Sequence, residues 1–110
     1  MPGMLSSTIC RGNVLYDGML QVTLTPVSVA GSTAVEQSFT IQGLQLNDFL
    51  DVNCNAAQTA GITIGNARVS ALNTMTLEFA NATGGALTPV TAVYNINVSR
   101  AEGQMPSSAA

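Results

Sequence analysis

Apolar and polar residues alternate along this chain in several short runs, and the period is two residues rather than the three to four of a helix. The first clean run starts at Met19. Leu20, Val22 and Leu24 alternate with Gln21, Thr23 and Thr25 until Pro26 ends the pattern, which predicts a half-buried strand. Ser28 to Thr33 reads as a turn around Gly31. A second strand is predicted from Val35 to Gln42, with Val35, Phe39 and Ile41 on one face. Glu36, Ser38, Thr40 and Gln42 lie on the other, Gln37 is the exception, and Gly43 breaks the run. Leu44 and Leu46 are expected to cap one end of the core. Asn47-Asp48 then turns the chain into Phe49 to Val52, a strand or strand-like edge whose inward face is ambiguous.

Asn53 to Gly61, rich in Ala and Asn, reads as a loop. In the next run, Ile62 to Ser70, the apolar positions change parity from Ile62 and Ile64 to Ala67 and Val69, which predicts a bulge at Gly65-Asn66. The following strand, Thr74 to Ala80, turns Met75, Leu77 and Phe79 inward. A three-residue loop, Ala71-Leu72-Asn73, sets Val69 opposite Met75 and Ala67 opposite Leu77, whereas a two-residue loop would set apolar against polar. The longer loop is therefore expected, with Asn73 left-handed, Glu78 opposite Asn66 and Arg68 diagonal to Glu78. Val90 to Val98 is the cleanest strand, with Val90, Ala92, Tyr94, Ile96 and Val98 on one face.

Six or more strands at about ten-residue spacing, with no convincing helical run, predict an all-β fold, an antiparallel β-sandwich. Jelly-roll and immunoglobulin-like topologies both fit it. Residues 1–18 lack sustained alternation and read as an extended N-terminal arm. Residues 19–100 form the domain, and residues 101–110, small and polar, read as a flexible C-terminal tail. At 110 residues the chain fits one domain, and a body of this size buries about 65% of its unfolded surface without needing metal or disulfide staples.

Composition narrows the chemistry. Histidine and lysine are missing, and only 8% of residues are charged. General acid–base catalysis draws first on histidine, Schiff-base chemistry and phosphate loops need lysine, and serine or cysteine nucleophiles need a neighbouring base. Three arginines, six carboxylates and two tyrosines remain without a cluster, so the chain is expected not to be an enzyme and to use no cofactor. A net charge of −3 argues against a nucleic-acid partner. No stretch approaches the ~20 apolar residues of a membrane-spanning helix, and Met1-Pro2-Gly3-Met4 does not open a secretory signal, so cytoplasmic synthesis is expected. Cys10 and Cys54 have no zinc-type spacing and are both expected to be reduced.

Candidate sites are correspondingly few. Asp48 and Asp51 as half a calcium site, and Glu36 and Glu78 as a glycosidase pair, both read better as surface residues. Tyr94 is expected to pack its ring in the core with its hydroxyl at an edge. The leader supplies the one functional set: Arg11, Leu15 and Tyr16 are residue types that anchor interfaces, and they are the predicted partner-binding residues.

Several segments carry a resemblance. Phe39-Thr40-Ile41-Gln42-Gly43-Leu44, Asp48 to Asn53, Val69 to Met75 and Phe79 to Gly84, followed by Leu87-Thr88-Pro89, Tyr94 and Val98-Ser99-Arg100, resemble the small β-sandwich capsid decoration or cement proteins of tailed bacteriophages. The resemblance spans residues 20–100, and Cys54 departs from it. It implies a structural virion protein on the outer capsid surface, assembled in the host cytoplasm. Its partners would be the major capsid protein, whose neighbouring subunits it bridges, and itself as a trimer or dimer, with no nucleic acid and no membrane. The alternative it implies is a receptor- or glycan-binding module of a tail fibre, which calls for exposed aromatics in the loops Asn53–Gly61 and Asn81–Thr88. Those loops contain none.

Overall fold

Among the described residues six strands carry the alternation into three dimensions: β1 (Val14–Leu24), β2 (Thr33–Thr40), β3 (Phe49–Cys54), β4 (Ile62–Ala71), β5 (Thr74–Asn81) and β6 (Ala92–Ala101). The computed structural model describes residues 13–105 and 107, and no helix occurs among them. The strands form one antiparallel sheet in the order β1-β6-β3-β4-β5-β2. Its seam lies between β3 and β4, which are joined by the single pair Phe49 and Arg68. Side chains from both sides of that seam meet in one core: Leu50, Tyr94, Ile96 and Val98 from one half, Ile62, Val69, Met75, Leu77 and Phe79 from the other.

Parity decides which residues enter it. Leu20, Val22 and Leu24 face the core from β1, and Leu50, Val52 and Cys54 from β3, which resolves the ambiguous face of that strand. The register between β4 and β5 shifts between Ile64 and Ala67, placing the predicted bulge at Gly65-Asn66. Val69 then stands opposite Met75 and Ala67 opposite Leu77, and Asn73 turns the chain with φ of 59°. Gln37, the polar exception on its face, donates from Nε2 to Val27 O and accepts from Val27 N, both at 2.9 Å. Its amide satisfies a stretch of backbone as a neighbouring strand would. Asn81, buried, donates to Val29 O and Gly85 O and accepts from Thr83, which fixes the loop behind the Val29–Leu87 bridge.

Other expectations are corrected. β1 begins at Val14, so residues 14–18 of the expected arm are strand; the register shift between Val14 and Tyr16 had broken the alternation by which strands are recognised. Residues 1–12, including Arg11 and Cys10, lie outside the described residues. Ala101 ends β6, and the first residues of the expected tail are tied down: Glu102 N and Gly103 N donate to Asn13, whose amide donates to Gly103 O and Gln104 O. Leu46 does not cap the core but is 60% exposed, and Val35, near the start of an edge strand, is also exposed. Val90 precedes β6 rather than opening it. Arg68 bonds not Glu78 but Glu36, at 2.9 and 3.0 Å, because β2 lies beyond β5 and brings Glu36 within reach.

Tyr94 does what its pattern implied. Its ring is fully buried, and its hydroxyl donates to Val90 O at 2.8 Å and accepts from Gln58 Nε2 at 3.0 Å. Burial pushes the hydroxyl pKa above the usual tyrosine value, against the Gln58 bond that lowers it. Gln58 Oε1 in turn accepts from Val90 N, so one side chain pair ties the β3–β4 loop to the approach of β6. Cys54, opposite Tyr94, is a free thiol at the core margin. Tyr94→Phe keeps the ring but strands Val90 O and the Gln58 amide, so it is expected to cost about 1–2 kcal/mol in urea denaturation. An unchanged midpoint would mean that water replaces the hydroxyl freely.

Candidate interaction surface

The loop from β2 to β3 is the scaffold of the most distinctive surface. Ile41 and Leu44 are buried and anchor it from below. Ile41 N donates to Asn73 O, Asn73 N to Leu44 O, and Gly43 N to Asn73 Oδ1, so the β4–β5 turn laces the loop in place. At its far end the carboxylate of Asp48 accepts from Gln45 N at 2.9 Å while Asp48 N donates to Gln45 O, closing a tight turn.

Arg100, near the end of β6, reaches this turn. Its Nε and Nη2 donate to Asp48 Oδ1 and Oδ2 at 2.9 and 2.8 Å, a two-point pairing, and Nη2 also donates to Gly43 O. The Asp48 side chain is 1% exposed and that of Arg100 24%. The Arg100 hydrogen bonds hold the Asp48 carboxyl below the usual carboxylate range, against burial, and Gln45 N assists. Both Asp48 oxygens are thus committed, and Asp51 sits on the exposed face of β3, so the two do not form a cation site. The guanidinium of Arg100 also lies 5.7 Å from the centre of the Tyr16 ring, its cross-strand partner. That ring folds back over Gly18, where any β-carbon would collide with it.

Three shallow depressions, of about 170, 290 and 310 Å³, adjoin at Arg100. Leu15, Tyr16, Leu46, Phe49 and Met105 line them, each between 45% and 60% exposed except Phe49 at 63%. Two of the three predicted partner-binding residues, Leu15 and Tyr16, therefore stand at this end; Arg11 is outside the described residues. Sequence reasoning missed the rest. Phe49 had a signal, since turning Leu50 and Val52 inward turns Phe49 outward, but nothing in the chain connected Arg100 with Asp48.

Beside this rim lies the outer face of β1, β6 and β3, where amide and hydroxyl side chains stand among Asp17, Met19 and Asp51. Gln21 Nε2 donates to Asn95 Oδ1 at 3.0 Å and Asn95 Nδ2 to Asn53 Oδ1 at 2.9 Å, a row of amides across three strands. Ser38, Thr76 and Ser70 form a matching row of hydroxyls across β2, β5 and β4. Glu36 and Glu78 are direct cross-strand neighbours, with Arg68 on the former and Asn66 N on the latter. The rim and the two faces thus offer exposed apolar side chains, the paired Arg100 and Arg68 guanidinium groups, and rows of amides and hydroxyls. Comparison with protein-family models, with curated proteins and with solved structures found no match to this chain.

Proposed function

We propose that this chain is a structural virion protein, a capsid decoration or cement protein that binds the outer capsid surface and bridges neighbouring major capsid subunits as a homo-oligomer. In this reading it works by contact alone, without catalysis or cofactor, and the halves β1-β6-β3 and β4-β5-β2 are the two layers of a β-sandwich. The observation that carries the reading is the apolar rim of Leu15, Tyr16, Leu46, Phe49 and Met105 around the Arg100–Asp48 pair. Exposed apolar side chains gathered at one place mark contact surfaces, and aromatic and arginine residues are the usual anchors of them. Amide and hydroxyl rows on the sheet faces suit the same task, since they give hydrogen bonds at a lower desolvation cost than charges. Weak contacts of this kind add up when a symmetric lattice repeats them.

Phe49→Ser and Leu46→Ser test it, because both side chains are exposed and neither supports the core. Each variant is expected to melt as the parent does and to bind heads stripped of decoration about tenfold more weakly in a sedimentation assay. Unaltered binding by both variants, or electron cryo-microscopy density for the chain on the tail alone, would overturn the reading.

A further inference from the structure

β1 is one edge of the sheet, and among the described residues no strand pairs with its outer side. Such an edge presents unpaired N–H and C=O groups along its length, and proteins blunt it with lysine, proline, inward charges or central bulges. β1 has none of these in its middle. Its one register shift falls at the Val14 end, and its one charge is Asp17. The opposite edge, β2, differs: Glu36 stands at its centre, and the row continues into Glu78 on β5. Two copies of β2 would bring four carboxylates together against only the two Arg68 guanidinium groups.

We propose that β1 pairs antiparallel with β1 of a second copy, about a two-fold axis through Met19, so that two sheets run on as one. Met19 is the midpoint of Val14–Leu24, so this register uses the whole strand. It sets Met19, 74% exposed, against Met19 of the second copy, apolar on apolar. It sets Asp17 against Gln21 of the second copy, twice per dimer, and never against another carboxylate. Gln21 spends one amide hydrogen on Asn95 and has a second for that carboxylate. On the core-side face Tyr16 meets Val22, and Gly18, which carries the Tyr16 ring, meets Leu20. The amide row Asn53–Asn95–Gln21 then continues through Asp17 into Ser99 of the second copy, with which that Asp17 shares a hydrogen bond at 3.2 Å. An isologous contact of this kind closes on itself as a dimer. The proposal rests on the homo-oligomeric reading above, yet self-association is measured without capsids, so either can fail alone.

Sedimentation equilibrium of the full chain is the test. The parent is expected to be a reversible dimer. Gln21→Lys, which places an ammonium opposite Asp17 twice, should tighten it by roughly 3- to 30-fold, and Gln21→Glu should weaken it by a similar factor. Met19→Lys, with two ammonium groups face to face on the axis, should shift it to monomer, and thermal melting should show all three variants folded. A monomeric or trimeric parent, a Met19→Lys protein that still dimerises, or position-21 charges that move association in the same direction would each overturn the proposal. A dimer with this pattern that fails to bind heads would leave it standing and remove the capsid reading.

Discussion

Replacing Phe79 with alanine is expected to lower the stability of the domain by about 3–5 kcal/mol, the range for emptying an aromatic site in a packed core. Phe79 lies on β5, which is flanked on both sides by β4 and β2, with Ile64 and Val35 as its cross-strand partners. It is fully buried, as are Met75 and Leu77 on the same face of the same strand. Neighbours so enclosed cannot collapse into the space without moving the strand itself. A domain of this kind has a total stability of about 5–15 kcal/mol, so the variant should sit near the edge of folding. Urea denaturation followed by circular dichroism reads the effect as a lower midpoint. Leu72→Ala, at an exposed turn position, is the control and should change stability by less than about 0.5 kcal/mol. A loss below about 1 kcal/mol for Phe79→Ala would mean that the faces of β5 are assigned wrongly.

That the inner face of β5 was legible in advance follows from what a strand does to a sequence. A period of two is local, so Met75, Leu77 and Phe79 announce their face without reference to any other part of the chain. The bulge in β4 was legible for a related reason. Parity cannot change within a regular strand, so Ile64 and Ala67 demand an extra residue between them, and the hairpin loop follows from matching the two apolar sets. The start of β1 was not legible, because the irregularity between Val14 and Tyr16, followed by Asp17 and Gly18, hides the period that the rest of the strand displays. The same limit explains the surface. Leu15 and Tyr16 could be named as contact residues by type, but the rim is assembled from β1, the β2–β3 loop, β3 and the segment after β6, whose proximity is a property of the sheet order. Arg100 and Asp48, 52 residues apart, have no shared pattern at all. Glu36 joined to Arg68 is a second case: the pairing depends on β2 lying beside β5, which no alternation encodes.

Removing the positive charge of that long-range pair should hurt more than removing the negative one. Arg100→Met leaves the Asp48 carboxylate, almost without solvent access, with Gln45 N as its remaining partner, and is expected to cost about 2–4 kcal/mol. Asp48→Asn keeps an acceptor for Gln45 N and leaves Arg100 partly in water, so about 1–2 kcal/mol is expected. The order reverses if the arginine rather than the carboxylate is the group that burial penalises. Acid separates Asp48→Asn from the parent. Because the folded pKa of Asp48 is depressed, its contribution is fully present above the unfolded carboxylate value, about 3.9, and is lost as pH falls through the lower folded value. The parent should therefore lose stability in and below the ordinary carboxylate range. Asp48→Asn, with no charge to neutralise there, should lose less across the same interval. Glu36 is also depressed by its arginine and titrates in both proteins, so the difference between the two acid profiles isolates Asp48. The pair also sets the surface chemistry: without the Asp48 carboxylate the Arg100 guanidinium keeps only Gly43 O on the β2–β3 loop, and the common wall of the three depressions is held less firmly. On the proposed capsid reading, Asp48→Asn should consequently weaken head binding beyond what its modest cost in stability explains. Parallel acid profiles for parent and variant, together with unchanged binding, would show that the charge of Asp48 neither stabilises the fold nor orders this surface.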